Sequence, residues 1–499
     1  MLVKTVNRSL TDVICDALVV NLFEGATLPT GATGAIDSAL DGQLSALIRD
    51  RRGAGKFGTT TVLPICTGVG ARQIILLGLG KKEAFSLDRL RQVAGIAIRT
   101  AHKLDARVVA TVVHGAAGQA GLDPQAAAQA LVEGSLLGNY RFRYYKTDND
   151  DDVLLEKLYI VDNDANKLAA FAAGAGRAQV IAGAVNLARD MVNHPANRMT
   201  PTKMAEHAEE IAARGGLELT VLDTDAIAEL KMEAFLAVAQ GSHEPPKLIV
   251  LKYTGNPASQ NLLALIGKGV TFDSGGISLK PSDGMHEMKD DMAGAAAVLG
   301  AMRAIAELKP AVNILAVMPC TENLPSGYAF RPGDVINSLG GKTIEIISTD
   351  AEGRLILADA IAYARRLGAT HIVDLATLTG ACVVALGNTT SGVMANDREW
   401  CARLLAAAEA VGEKMWELPL FEEYKELIKS DIADLKNSGG RPAGAITAGL
   451  FLAAFADTTP WIHVDIAGTV STTKDGGYNP KGATGVGVRT LVELAARFA

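Results

Sequence analysis

Cysteine is scarce in this 499-residue chain, and the five present follow no pattern. Cys15, Cys66, Cys320, Cys382 and Cys401 are odd in number and never spaced as CxxC, which argues against a disulfide framework and a thiolate zinc site. They read as small buried hydrophobes. Aromatics are also few, at 5%, while glycine is plentiful at 51, so tight loops and small-residue helix packing are expected. A basic excess is missing: the net charge is −7, and the overall field does not draw the chain to nucleic acid. Arg49, Arg51, Arg52 and Lys56 make one local basic run, read as a solvated face.

Several motifs are absent as well. There is no HExxH, which argues against a zincin, and no GxSxG, which argues against a serine hydrolase of the nucleophile-elbow kind. No GxGxxG follows a strand convincingly, and Gly340-Gly-Lys-Thr343 lacks the first glycine of a P-loop. The apolar stretch 13–23 is broken by Asp16 and has neither a charged lead nor a small-residue cleavage site, so no export signal is read. The longest uncharged run, between Asp374 and Asp397, is full of Thr, Gly and Asn and reads as a buried strand and loop rather than a membrane span. A cytoplasmic location is the default expectation.

What the chain does have is an alternation of strand-like and helical segments. Strands are expected at 13–21, 60–65, 73–79 and 107–113, with helices at 87–103 and 124–140. An acidic loop follows at 146–152, without calcium-loop spacing. The Ala-rich stretch at 164–192 reads as one long linking helix. Beyond it, strands are expected at 247–253, 262–268, 312–318, 343–348, 371–375 and 461–466, with helices at 292–308, 355–367 and 398–411. The fold class is therefore α/β. It comprises a small mixed-sheet domain at 1–163, the linking helix, and a larger domain at 193–499 on a central, mostly parallel or mixed sheet.

Two short stretches carry the chemistry. Gly267-Lys-Gly-Val-Thr-Phe-Asp-Ser-Gly-Gly-Ile-Ser-Leu-Lys280 is followed by Asp290-Asp291, and Ser348-Thr-Asp-Ala-Glu-Gly-Arg-Leu355 lies further on. They offer carboxylates at Asp273, Asp291, Asp350 and Glu352 and cations at Lys268, Lys280 and Arg354. Four negative charges match two divalent ions and leave cationic side chains free to act on a substrate, the pattern of a two-metal hydrolase. None of the eight His lies in either run, so the donors are oxygen-rich and suit Mn²⁺ or Mg²⁺, with Zn²⁺ also able to take carboxylates. His286, the nearest, is read as an outer or surface residue.

Each of these residues has a plainer reading. Asp350 and Glu352 project to one face of an extended segment, yet acidic residues also favour the start of a helix. Asp290 or Asp291 could cap one. Lys268 reads first as a salt-bridge partner, because deprotonating it near pH 7.5 costs on the order of 4 kcal/mol. Lys280 and Arg354 could simply neutralise the acidic cluster.

These stretches resemble the signatures of the leucyl aminopeptidases, the di-metal cytosolic aminopeptidases. The likeness continues through Asn193-His-Pro-Ala-Asn197, Met288-Lys289, Leu375-Ala-Thr-Leu-Thr-Gly-Ala381 and Trp461-Ile-His-Val-Asp-Ile-Ala-Gly468, covering roughly 185–499. One departure is visible: the family opens its second signature with Asn where this chain has Ser348, which bears on loop support.

The resemblance implies that Asp273 and Glu352 bridge two metals, Mn²⁺ or Zn²⁺, with Lys268 and Asp291 completing one site and Asp350 the other. It implies Lys280 as oxyanion stabiliser and Arg354 as the holder of a bicarbonate general base. Met288, Thr377, Leu378, Gly380 and Ala467 would line an apolar pocket for a leucine-like N-terminal residue. Peptide substrates and a homohexamer with inward-facing sites are implied too. Two alternatives stand beside this: another di-metal hydrolase, such as a phosphoesterase or amidohydrolase, and a DNA-binding role, which the acidic charge disfavours.

Overall fold

A computed structural model describes residues 1–50, 53–64, 67–115, 121–147 and 154–498. Cys66, Arg51, Arg52 and the acid-rich part of the 146–152 loop lie outside the described residues. The chain divides into two units, Met1–Gly183 with Thr473–Lys481, and Ala184–Thr472 with Gly482–Ala499.

The first unit runs β1 (Leu2–Asn7), β2 (Cys15–Leu22), α1 (Gly31–Ala39), α2 (Gln43–Asp50), β3 (Thr60–Pro64), β4 (Ala71–Gly78), α3 (Leu87–His102), β5 (Val108–Thr111), α4 (Pro124–Gly138) and β6 (Lys157–Asp162). Its six strands form one sheet in the order β1-β6-β5-β2-β4-β3, parallel except for β3. Along β2 the two-residue period sends Ala17 and Val19 to one core and Leu18 and Val20 to another. The first core is closed by α3 and α4, the second by α1 and α2. Helix starts are chemically marked: Ser86 accepts the Arg89 amide, and Asp123 accepts the Ala126 amide ahead of Pro124. The Thr473–Lys481 segment belongs to this unit, where the Arg99 guanidinium donates to the Gly477 carbonyl and Tyr478 lies against Gly95.

Helix α5 (Ala165–Asn193) follows, and the boundary between the units falls within it. It is long and apolar enough to cross a membrane by composition, but Phe171, Ala175 and Ala178 are buried in the α3–α4 core.

The second unit continues with α6 (Pro201–Gly215), β7 (Glu218–Leu222), α7 (Thr224–Glu229), α8 (Glu233–Ala239), β8 (Lys247–Thr254), β9 (Leu262–Gly267) and β10 (Gly269–Asp273). Then come α9 (Ala293–Leu308), β11 (Asn313–Asn323), β12 (Val335–Asn337), β13 (Thr343–Glu345), α10 (Gly353–Arg366), β14 (His371–Ala376), α11 (Gly380–Leu386) and β15 (Ser391–Ala395). The unit ends through α12 (Arg398–Val411), β16 (Met415–Glu417), β17 (Leu435–Lys436), α13 (Gly444–Ala456), β18 (Trp461–Asp465), two short strands and a C-terminal helix. Its large sheet has the order β16-β15-β18-β14-β9-β11-β8-β7, with β10 pairing β11. The central strands β18, β14, β9 and β11 are parallel. Phe235, Phe451, Phe455 and Trp461 are among the large side chains of a core built with α8, α10 and α13.

Three expectations change. The 374–397 run contains a helix, α11, which Thr379 caps by accepting the Cys382 amide, and a second strand, β15. The strand expected at 343–348 stops at Glu345, because the Ile347 and Ser348 amides turn to the side chain of Asn437. Asp350 and Glu352 are therefore not in an extended segment: Asp350 lies in a turn, and Glu352 is the residue before α10, with helical φ of −76°. Cys15, Cys320, Cys382 and Cys401 are buried free thiols, as expected.

Candidate metal centre

Five parallel strands deliver the site. Lys268 stands between β9 and β10, Asp273 ends β10, Asn323 ends β11, Thr377 follows β14, and Asp465 ends β18. Ligands gather at such carboxyl ends because the loops there are free to vary while the sheet fixes their roots.

The four carboxylates converge. Oxygens of Asp273, Asp350 and Glu352 lie within 4.8 Å of one another. Asp291 joins through Lys268, whose ammonium lies 2.7 Å from Asp291 Oδ1 and 2.8 Å from Glu352 Oε1, and also donates to the Thr377 carbonyl at 3.1 Å. Lys280 reaches Asp273 Oδ2 at 2.8 Å and pairs with Asp350. Asp273, Asp291 and Glu352 are buried, whereas Asp350 is exposed. Neither Asp290 nor Asp291 caps α9, whose first amides have no side-chain acceptor from its cap residue, Met292.

Two ammoniums cannot neutralise four carboxylates in a buried setting. Burial, reinforced by the charge of Glu352, holds Asp273 up to about 6. Burial also raises Asp291 well above the usual carboxylate range against the pull of Lys268. For Glu352 the two lysines outweigh burial and hold it low. Burial opposes the Lys268 ammonium, but Asp291, Glu352 and Asp273 more than offset it. Burial lowers Arg354 to about 10.

The donor set fits divalent cations. Asp291 Oδ2 and Glu352 Oε2 are buried without a hydrogen-bond partner, and a buried carboxylate oxygen left bare is costly unless a cation meets it. Arg354 donates from its Nη1 to the Asn437 carbonyl at 2.7 Å and keeps a buried Nε without a partner.

The loops holding these groups are stitched to each other. Thr349 Oγ1 donates to the Gly275 carbonyl at 2.6 Å and accepts the Ser278 amide at 2.7 Å. Gly275 has φ +86°, and a methyl group there would stand 2.8 Å from Asp350 Oδ1. At Gly353 a methyl group would meet the Lys268 Cε at 2.6 Å, so this glycine lets the lysine lie across the start of α10.

Of the residues expected to line a substrate pocket, Thr377, Leu378 and Ala467 are drawn together. Thr377 Oγ1 donates to Asp291 Oδ1 at 2.7 Å, and Asp465 Oδ1 accepts the amides of Leu378 at 3.3 Å and Ala467 at 3.1 Å. Gly380 opens α11 with open space where a side chain would stand, and Met288 is half-buried in the turn Met285–Asp290. No hydrogen bond joins Gly380 or Met288 to the charged cluster among the described residues. His286 is exposed beside Glu287.

Sequence reasoning missed three supporting residues. Asn323, fully buried, donates to Asp273 Oδ1 at 2.8 Å and to the Thr349 carbonyl at 3.0 Å. Asn437, also fully buried, accepts the amides of Ile347 and Ser348, donates to the Ser348 carbonyl at 2.6 Å, and holds Arg354 through its own carbonyl. The support in question at Ser348 thus comes from a distant asparagine. Asp465 was visible within the Trp461–Gly468 motif but carried no assigned role.

Residues 186–492 match the catalytic domain of the cytosol aminopeptidase family, and residues 19–149 match that family's N-terminal domain. A protein of Alkaliphilus metalliredigens named "Probable cytosol aminopeptidase" is 47% identical over 498 residues, covering 99% of this chain and 98% of its own. One of the same name from Geobacter sulfurreducens is 47% identical over 485 residues, 96% of each. Among solved structures, a tomato leucine aminopeptidase variant superposes with a TM-score of 0.90 at 35% identity, covering 100% of this chain and 96% of that one. The bottromycin maturation enzyme BotP in complex with Mn gives 0.85 at 34% identity, covering 97% and 99%.

Proposed function

The chain belongs to the cytosol aminopeptidase family and is a peptidase, and from that premise we propose that it removes leucine-like residues from the N-termini of peptides with two divalent ions. The observation that carries this reading is the meeting of four carboxylates at the strand ends with buried, unpartnered oxygens on Asp291 and Glu352.

Lys268, Asp273, Asp291, Asp350 and Glu352 would hold the ions, Mn²⁺ or Zn²⁺. When bound, they supply a water of lowered pKa and polarisation of the scissile carbonyl. Lys280, partly exposed and already among carboxylates, is a donor poised for the oxyanion, where a fixed hydrogen bond strengthens as charge develops. Arg354 would hold bicarbonate as the general base, a role for which its bare Nε is available. Thr377 fixes the Asp291 carboxylate, while Asp465 ties Leu378 to Ala467 and shapes the floor on which the N-terminal side chain rests, with Met288 and Gly380 completing it. We place the enzyme in the cytoplasm, as the family's name has it, and as a homohexamer; a monomeric mass in light scattering would sink the assembly.

The test is release of p-nitroaniline from Leu-p-nitroanilide before and after chelation, with Mn²⁺, Zn²⁺ and Mg²⁺ added back. Activity should vanish with the metal and return with Mn²⁺ or Zn²⁺. A folded protein inactive with every ion would overturn the reading.

A further inference from the structure

The first unit has its own strand-end cleft, which the peptidase chemistry does not use. The chain leaves β2 toward β4 on one side of the sheet, then crosses to β5 on the other, so the carboxyl ends of β2 and β5 flank a topological switch point. A cavity of about 360 Å³ opens there, lined among others by Arg8, Asn21, Thr33, Val112, Asp162 and Lys167. That volume is within the range of small-ligand sites.

The floor is polar where an apolar one would pack the layer without desolvation cost. Thr33 Oγ1 donates to the Asn21 carbonyl at 2.8 Å and accepts the Asn21 amide at 3.3 Å. Asn21 Nδ2 meets His114 Nδ1 at 2.7 Å, and His114 Nε2 lies 3.4 Å from Thr111 Oγ1. Thr33, Thr111 and His114 are all buried, so Asn21 is braced from behind at the cleft.

The rim is cationic. Arg8 is exposed and makes no ion pair among the described residues. Lys167 makes two long ion pairs, with Asp162 at 3.8 Å and Asp164 at 3.7 Å, neither within hydrogen-bond distance. Nine-residue α1 points its first turn at the same space, with no acidic residue there and no side-chain cap bond. Amides and cations of this kind suit a compact dianion.

We propose that this cleft is a second ligand site, for a small phosphate ester whose phosphoryl group meets Arg8, Lys167 and the α1 amides while its polar body rests on Asn21 and Asp162. The small volume favours a metabolite over a polymer, as does the chain's net charge of −7.

The test is calorimetric titration of the metal-stripped full chain, so that phosphate cannot bind the hydrolytic ions. The probes are ribose 5-phosphate, adenosine 5′-monophosphate, adenosine, inorganic phosphate and a duplex DNA oligonucleotide. One phosphate ester should saturate one site per chain, and adenosine should not. Arg8→Ala with Lys167→Ala should weaken that binding at least tenfold, and Ala35→Trp, on the cleft's exposed rim, should block it, with circular dichroism unchanged. No saturable binding by either ester, or binding indifferent to the double variant, would overturn the site. Inorganic phosphate binding as tightly as the esters would overturn the ester assignment. Duplex DNA binding more tightly, with the same variant sensitivity, would overturn the small-molecule one.

Discussion

The two units put a polar site in the same architectural place and equip it oppositely. In the second unit the strand ends carry buried charges that the protein alone leaves unbalanced, with bare oxygens on Asp291 and Glu352. In the first, the buried groups are neutral and partnered, and the charges stand at the rim, Arg8 exposed and Lys167 and Asp162 half-buried. The α/β architecture chooses where a site lies; the local charge balance decides whether it needs an ion to be complete.

That contrast can be broken most forcefully at Glu352. Glu352→Ala should lose metal and activity together, read by metal analysis and Leu-p-nitroanilide turnover, and retained metal would refute its place as a ligand. Lys280→Ala should instead keep metal and lose roughly 10²- to 10³-fold in kcat, the cost of one oxyanion donor. Wild-type turnover would remove that role.

The buried histidines sharpen the comparison further. Burial lowers His114 in the first unit to about 4, and its Nδ1 already accepts from Asn21, so a proton has nowhere favourable to go. In the second unit burial also opposes the charged form of His463, but Asp374 at 2.5 Å outweighs it and raises the pKa. A depressed histidine contributes stability that is present above its unfolded pKa and lost as pH falls toward its folded one. The His114 contribution should therefore fade between pH 6.5 and about 4, to a limit of about 3 kcal/mol, while the raised His463 loses nothing in that window. Hydrogen exchange resolved by unit should show the first opening earlier on acidification, and His114→Gln should flatten that trend. Equal acid sensitivity in both units would contradict it.

A smaller effect is expected at Asn437. Asn437→Ala should weaken metal affinity about 10- to 100-fold by releasing the Ser348–Asp350 loop, measured by competition with a chelator. Unchanged affinity would mean the loop holds itself.

Much of the molecule was legible because its signals are local. The helices at Leu87–His102 and Arg398–Val411 carry capping residues and an apolar face within a few turns, and the carboxylates of the candidate site announced themselves by number and proximity to glycine. What escaped depends on distant partners. Strand β1 reads Leu-Val-Lys-Thr-Val-Asn, without apolar/polar alternation, and is held by pairing with β6 far along the chain. Asn437 is 90 residues from the Ile347 amide it accepts, and nothing beside it in sequence marks it. Helix α11 is seven residues with two valines, too short and too β-branched to stand out without its threonine cap.

The Thr473–Lys481 segment of the first unit sets a constraint on biosynthesis. A ribosome finishes Met1–Gly183 and then works for roughly 15 to 60 s more before Thr473 is made. Throughout that interval the nascent first unit has α3 without the Tyr478 backbone against Gly95 and without the carbonyl that Arg99 meets. The gene cannot be cut cleanly at the unit boundary, because the N-terminal unit waits for a segment made almost 300 residues later to become whole.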